Sequence, residues 1–330
     1  MNRIYVASYE ALEKGIRLLD FHHEKLDFEF EGVKGTRDIP SYLTTDGNRL
    51  YSCYKNGGIE IFEKDQELTS VAKTEILGKR YVHLAVFGQY IAAADYHGGF
   101  VDLFSFYGNA LTLMDSMAHQ GRGPHPTRQT QPHMHFVGFT PDGKYLYGID
   151  LGADKIRFYD FKGWKLKELG GKSVEIEGGS GPRHGIFSKE GRFFYLVNEL
   201  VNTVMAFRYD DGDFHLLQTL STLPAACEIQ STAGAIRLSQ SGKSLLVSNR
   251  FCDGLAYFTV NTDTGHLKLR EIVAAGRHPR DFNILDDKFV ILGAMEGDQV
   301  QLFLLDEENE TLERKPATVS ICKPVSIEFH

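Results

Sequence analysis

The chain has 330 residues, 42% of them hydrophobic and 24% charged, which suits a globular fold with a sizeable buried core. Its net charge of −8 is spread over short acidic clusters, so the concentrated basic face that nucleic acid requires is missing and no nucleic-acid partner is expected. No segment approaches the roughly 20 apolar residues that cross a bilayer, and the apolar run ending at Ala7 is too short for a signal peptide. The expectation is therefore a cytoplasmic protein without a membrane partner. Cys53, Cys227, Cys252 and Cys322 form no CxxC pair and are expected as reduced thiols that pack as small hydrophobes.

Taken in chain order, Ile4-Tyr5-Val6-Ala7 and Ile16-Arg17-Leu18-Leu19 read as strands. A phrase that then recurs opens at Pro40-Ser41-Tyr42-Leu43, with a turn at Asp46-Gly47. The next copy, from Val82-His83-Leu84, has Phe87-Gly88-Gln89 where an Asp-Gly turn is usual. The clearest copy runs Pro132-His133-Met134-His135-Phe136, turns at Thr140-Pro141-Asp142-Gly143, and continues into Tyr145-Leu146-Tyr147-Gly148-Ile149-Asp150. A fourth has Pro182-Arg183-His184-Gly185, the turn Ser188-Lys189-Glu190-Gly191, and Tyr195-Leu196-Val197-Asn198-Glu199. A fifth has Ala235-Ile236-Arg237-Leu238, Ser241-Gly242 and Val247-Ser248-Asn249-Arg250, and a sixth begins Pro279-Arg280-Asp281-Phe282. The last, Pro324-Val325-Ser326-Ile327, is cut short by the C-terminus, and the N-terminal strands supply what it lacks.

Each copy alternates apolar and polar residues about a hairpin turn, with aromatic and β-branched strands and no long amphipathic helix. The period of about 40–53 residues suits a four-stranded blade. The expectation is an all-β, seven-bladed β-propeller over residues 1–330 as one domain, with one blade closed by both N- and C-terminal strands. A single tryptophan, Trp164, excludes the repeated Trp-Asp of WD40 blades.

Hairpin geometry gathers polar groups at one end of the blades. Arg183 opens a strand and Glu199 ends its partner, with the turn at 189–191 about midway. His133 and His135 precede the turn at 141–143 and Asp150 follows it, Arg250 follows Ser241-Gly242, and Arg280 opens its own blade. Such a set suits acid–base work on an anionic substrate, whether by adding water to an ester or by closing a ring onto a diacid, and the residues alone do not choose between the two. Glu199 or His135 is the candidate base for water, an arginine such as Arg183 holds the developing oxyanion, and Arg128, Arg250 and Arg280 suit an anionic substrate. His133 and His135, two apart on a strand, are expected to share a face, but no further ligand adjoins them, so neither a metal nor a cofactor is expected. His184 and His278 read first as hydrogen-bonding groups where a blade opens, with His184 also a substrate contact. Gly178-Gly179-Ser180-Gly181 resembles an anion cradle, but no helix follows it, and it reads as a loop between blades. Acidic Asp306-Glu307-Glu308-Asn309-Glu310 reads as a solvated hairpin tip.

At these residues the chain resembles the lactonase family of seven-bladed propellers, which includes bacterial 6-phosphogluconolactonases and fungal carboxy-cis,cis-muconate lactonizing enzymes. The likeness is carried by Gly121-Arg122-Gly123-Pro124 leading to Arg128-Gln129, by Pro132-His133-Met134-His135, Gly181-Pro182-Arg183-His184, Val197-Asn198-Glu199, Val247-Ser248-Asn249-Arg250 and Gly276-Arg277-His278-Pro279-Arg280. It covers essentially the whole chain. The first two blades depart from it, with Tyr51-Ser52-Cys53-Tyr54 and Ala93-Ala94-Asp95-Tyr96 in place of Asn-Glu or Asn-Tyr endings. By motif, the resemblance implies catalytic roles for His135, Arg183, Glu199 and Arg250, and substrate contacts from His133, Arg128, Gln129, His184 and Arg280. It implies a hydrolase of a small anionic lactone, foremost a 6-phosphogluconolactonase of the pentose phosphate route. A carboxymuconate cycloisomerase and a non-enzymatic binding propeller are the alternatives. A monomer or weak homodimer is expected.

Overall fold

The computed structural model describes residues 2–35, 38–225, 227 and 229–330. Among them are seven antiparallel sheets, numbered here as blades in chain order. Blade 1 comprises Pro40–Thr45, Arg49–Tyr54, Gly58–Glu63 and Ser70–Glu75, and blade 2 comprises Tyr81–Phe87, Tyr90–Asp95, Phe100–Tyr107 and Ala110–Ala118. Blade 3 has Met134–Phe139, Leu146–Asp150 and Lys155–Asp160, with its outer strand broken into Lys167–Glu168 and Val174–Glu175. Blade 4 has Pro182–Phe187, Phe193–Asn198, Thr203–Asp210 and Asp213–Ser221, and blade 5 has Thr232–Leu238, Ser244–Arg250, Gly254–Val260 and Leu267–Ala274. Blade 6 has Pro279–Leu285, Phe289–Ala294, Gln299–Asp306 and Thr311–Ser320. In blade 7 the C-terminal Pro324–Phe329 pairs antiparallel with Asn2–Ser8 (Ile4 opposite Phe329, Val6 opposite Ile327), followed by Ile16–His22 and Asp27–Lys34. The fold is the expected all-β, seven-bladed β-propeller with one blade closed by both terminal strands. Helical pieces among the described residues are two three-residue 3₁₀ turns, Lys162–Trp164 and Gly170–Lys172, and no helix is long and apolar enough to cross a membrane.

The strands group into two compact units, one running from Val33 to Arg183 and the other from His184 to Phe329 with the first N-terminal strands. Strand alternation builds the cores of each. In blade 5, Leu245 and Val247 pack with Tyr195, Val197 and Val204 of blade 4, whereas Leu246 between them packs with Phe282, Leu292 and Phe303 of blade 6. Ile4, Leu19 and Ile327 of blade 7 pack with Phe289, Ile291 and Leu302 of blade 6. In the other unit, Ile91 and Ala93 face Tyr51, Ile59 and Ile61 of blade 1, while Ala92 and Ala94 face Met134, Val137 and Tyr159 of blade 3. The second strands of blades 2 and 5 therefore have two apolar faces, and each fully buried Leu, Val or Phe contributes about 1.5–3 kcal/mol. Cys53 lies in the core of blades 1 and 2, where burial pushes its thiol up to about 12.

Turn chemistry recurs as the sequence suggests. In blades 3, 4 and 5 the amides of Gly143, Gly191 and Gly242 donate to the carbonyls of Thr140, Ser188 and Ser239 at 2.8, 2.8 and 3.0 Å. Blade 2 makes its hairpin from only Gly88-Gln89, with Phe87 opposite Tyr90 and Gly88 at φ 58°.

The cysteine expectation needs correction. Cys227 and Cys252 are joined as a disulfide, because the loop after blade 4 returns onto the turn that follows Arg250. Cys53 and Cys322 take no part in a disulfide.

One device closes the end of each of blades 1 to 6. The turn between second and third strands carries a left-handed residue, namely Gly57, Gly99, Asp154, Asn202, Asp253 and Asp298 in blades 1 to 6, with φ from 41° to 89°. Its carbonyl accepts from the residue that follows the outer strand, Ile76, His119, Ile176, Thr222, Ala275 and Ile321 respectively, at 2.8–3.1 Å. A Cβ on Gly57 would sit 2.5 Å from the carbonyl oxygens of both Ile76 and Lys79, whereas one on Gly47 (φ 94°) would meet nothing within 4 Å. Gly57→Ala is thus expected to lower the unfolding free energy in urea by about 3 kcal/mol or more. Gly47→Ala should cost only about 1–2 kcal/mol of backbone strain. Equal losses would show that the close approach at Gly57 does not matter.

Candidate active site

The expected site residues come from both compact units, and each unit holds its own set. In the unit of blades 1 to 3, His133 lies one residue ahead of the first strand of blade 3, and the pairing of that strand shifts register between Met134 and Phe136. His135 is therefore the extra residue of a β-bulge, the device that re-aims a side chain. Strand alternation does not run through either residue, yet both rings meet the same neighbour, Tyr96, with centroids 4.4 and 5.3 Å away, so the two side chains still lie on one side of the chain. Both are about 8% exposed. Backbone contacts pin His133 on two sides. Its N–H donates to Asp150 Oδ1 at 2.9 Å, and its carbonyl accepts from Leu151 N at 2.9 Å.

Asp150 itself is fully buried. Its Oδ1 also accepts from the amides of Gly152 and Ala153, and its Oδ2 accepts from Arg157 at 3.1–3.2 Å. It holds the backbone in place rather than presenting an open carboxylate. Gln129, expected to touch substrate, is also fully buried, with Nε2 donating to Leu151 O at 2.9 Å and Oε1 accepting from His125 N at 3.0 Å. Its amide shapes the loop that carries Arg128. Arg128 lies 3.5 Å, Nη2 to Oη, from Tyr96. The glycine-rich loop is no open anion cradle, since the amides of Gly179 and Gly181 donate to the carboxylate of Asp154 at 2.8 and 2.7 Å. Gly181 stands two residues before Arg183, so this contact fixes the lead-in to that buried arginine.

In the unit of blades 4 to 7, Glu199 and Arg250 form an ion pair with Oε2 and Nη2 2.7 Å apart, their residues 1% and 7% exposed. Glu199 follows the second strand of blade 4, and Arg250 ends the second strand of blade 5. The Arg250 guanidinium also donates to the carbonyl of Ala233 at 2.9 Å, Ala233 N donates to Glu199 O at 3.2 Å, and Ser231 Oγ donates to Arg250 O at 2.8 Å. The pair is held from backbone on every side. Arg280, like His135, is a bulge residue, since register shifts between Pro279 and Asp281, and its guanidinium lies 5.4 Å over the Tyr9 ring. His278, just ahead of it, has φ 56°, donates its N–H to Asp253 Oδ1 at 2.8 Å and lies edge-on to Phe251 at 5.3 Å. His184, expected as a hydrogen-bonding group and substrate contact, is buried in the first strand of blade 4.

Tyr96 and Tyr9 escape the sequence reading, yet both touch residues it selects. A usable signal was present: Tyr96 follows Asp95 as Glu199 follows Asn198, at the end of a second strand. Nearby, burial and then Arg80 hold the His97 imidazole below its usual range. Among the described residues no group of three or more His, Cys, Asp or Glu is placed to hold a metal ion. What the two sets offer is a buried, ion-paired carboxylate, imidazoles and several guanidiniums fixed by bulges and backbone contacts, a stock suited to acid–base work on an anionic substrate.

Fold and side-chain stock define a propeller of the lactonase class. A family model described as "Lactonase, 7-bladed beta-propeller" matches residues 3–329, and the chain belongs to that family. It is 34% identical to the 6-phosphogluconolactonase of Bacillus subtilis over an alignment of 343 positions that covers 98% of this chain and 97% of that one. Among solved structures it is similar to the periplasmic gluconolactonase of Pseudomonas aeruginosa, with a TM-score of 0.93, 28% identity and 99% and 98% of the two chains covered. A protein from Lactobacillus plantarum is equally similar in fold, with a TM-score of 0.93, 31% identity and both chains covered in full.

Removing one partner of a buried ion pair strands a charge in a medium that solvates it poorly. Arg250→Ala should therefore lower the unfolding free energy in urea by about 3–5 kcal/mol, and Arg250→Ala with Glu199→Gln should recover part of that loss. Strict additivity in this double-mutant cycle would mean that the pair is not coupled.

Proposed function

We propose that the protein is a lactone hydrolase that opens 6-phosphoglucono-δ-lactone to 6-phosphogluconate, the second step of the pentose phosphate route. The observation that carries the reading is the end-to-end likeness to a relative named for that activity, 34% identical over 98% of this chain. The chemistry is compatible with the residues present. A base takes a proton from water as its oxygen bonds to the lactone carbonyl carbon, and the carbonyl oxygen becomes an oxyanion. That intermediate collapses by breaking the bond to the ring oxygen, which leaves with a proton. Glu199 and His135 are the candidate bases of the proposal, and Arg183 is its oxyanion partner. Arg250 orients Glu199 through their ion pair. Arg128 in one unit and Arg280 in the other, each beside a tyrosine hydroxyl at 3.5 Å, are the alternative contacts proposed for the substrate's anionic group.

The hydrolase reading stands ahead of the muconate cycloisomerase because the named relatives that match from end to end carry lactonase names. The proposal includes a monomer or weak dimer working in the cytoplasm, where the Cys227–Cys252 bridge would meet reducing thiols.

The test is hydrolysis of freshly made 6-phosphoglucono-δ-lactone, with spontaneous opening subtracted. Wild type should accelerate opening, and Arg183→Ala and Glu199→Gln should each lower kcat/KM by about 100-fold or more while remaining folded by circular dichroism. A wild type no faster than the blank would rule out this substrate. Active variants within about threefold of wild type would remove Arg183 and Glu199 from the chemistry.

A further inference from the structure

Tyr96 is the meeting point of three residues in the unit of blades 1 to 3. Its ring is stacked on His133, with centroids 4.4 Å apart and planes 15° from parallel. The same ring meets His135 edge-on at 5.3 Å and 79°. Its hydroxyl lies 3.5 Å from Arg128 Nη2, and its backbone carbonyl lies 2.9 Å from His133 Nδ1.

That last contact decides a proton. A carbonyl oxygen only accepts, so Nδ1 of His133 must be the donor and must carry hydrogen. A neutral imidazole so held leaves its lone pair on Nε2. That nitrogen forms no hydrogen bond with a described residue and is not shut off from solvent. It is thus open to a ligand. Contacts to the backbone and to the ring both hold His133 in place. The backbone of His133 is tied to Asp150 Oδ1 and Leu151 N, and a Cβ on the facing Gly152 would come 2.7 Å from His133 N, so the backbones are already at closest approach. The stacked Tyr96 ring then sets the plane of the imidazole. Tyr96 in turn follows Asp95, whose carboxylate accepts from the amides of Arg80 and Gly98 at 3.2 and 3.1 Å and anchors the turn.

We infer that Tyr96 is a positioning residue: it fixes the ring plane and the Nδ1–H tautomer of His133, so that Nε2 is presented as a proton acceptor. This makes His133, rather than only its neighbour His135, a carrier of protons in the reaction. The proton-carrying role rests on the lactone hydrolase reading; the geometry of His133 does not.

The experiment therefore has one arm that needs no substrate. Imidazole ¹⁵N shifts of His133, assigned with a His133→Gln control, are read above the titration range for wild type, Tyr96→Phe and Tyr96→Ala. Wild type and Tyr96→Phe should show the Nδ1–H form. Tyr96→Ala, which keeps the carbonyl but loses the stacked ring, should shift His133 toward the Nε2–H form preferred by imidazole in water. In the second arm, Tyr96→Ala should lower kcat for the lactone by about tenfold or more, and Tyr96→Phe should keep kcat within about twofold while raising KM through a less well placed Arg128. An Nε2–H His133 in wild type, or a Tyr96→Ala protein whose tautomer is unchanged, would overturn the inference. The expected tautomers in a protein without lactone hydrolysis would uphold the positioning role and sink the hydrolase reading instead. Because Tyr96→Phe preserves the ring, a Tyr96→Ala protein that fails to fold still leaves the wild-type tautomer to decide the first arm and the KM-against-kcat split of the Phe variant to decide the second.

Discussion

The left-handed residue between the second and third strands is the contact on which the remaining architecture depends. At Asp154, Asn202, Asp253 and Asp298 the main chain accepts a hydrogen bond from the end of its own blade while the side chain reaches the next one. There it bonds the residue immediately before the following first strand: Gly181, Ser231, His278 and Lys323. Only Gly, Asn and Asp adopt this backbone conformation at small cost, and of these only Asn and Asp carry the second bond. In blades 3 to 6 one residue thus closes a turn and fixes where the next blade begins. Gly57 and Gly99 do the first task without the second, and they belong to the blades whose endings depart furthest from the family phrases.

The same constraint prepares the site. Arg183 and Arg280 stand two residues after Gly181 and His278, the positions pinned by Asp154 and Asp253. Arg280 and His135 are then turned out of the pleat by bulges at equivalent places in blades 6 and 3. A bulge costs a ladder hydrogen bond, and here it falls where a charged or titratable side chain must leave the alternation that serves the cores. In blade 6 core packing and site geometry are therefore separated along the first strand within a few residues: clamp at His278, bulge at Arg280, then regular strand.

Much of this was legible in the chain. Blade boundaries followed from hairpin turns and alternating apolar residues, and the incomplete last copy foretold the pairing of Ile4 with Phe329. Local signals of that kind are written in consecutive residues. The bulges were not legible, since Pro132-His133-Met134-His135 reads as plain alternation and nothing in it announces that Met134 and Phe136 pair while His135 does not. Nor were the roles of Asp150 and Gln129 readable, because both look like site residues by type and spacing and only their partners show them spent on backbone. The Cys227–Cys252 bridge joins residues 25 apart across a loop whose return path no local pattern records.

Tyr96 shows why departures from a family phrase can be more informative than matches. Ala93-Ala94-Asp95-Tyr96 departs from the family phrase, yet each residue there has a distinct physical task. Ala93 and Ala94 are small because each faces a neighbouring blade, one on either side. Asp95 caps the amides of Arg80 and Gly98, and Tyr96 stacks on His133. In blade 4 the same place carries Glu199, which reaches the next blade's Arg250 by charge rather than by ring stacking. The position after the second strand is therefore the one that joins a blade to a neighbour's functional side chain, and its residue type follows the partner: a carboxylate for a guanidinium, an aromatic ring for an imidazole. Tyr9, beside Arg280 in the closing blade, fits that rule through cation–π contact. A chain that varies this position would alter how its site groups are held while leaving the cores between blades unchanged.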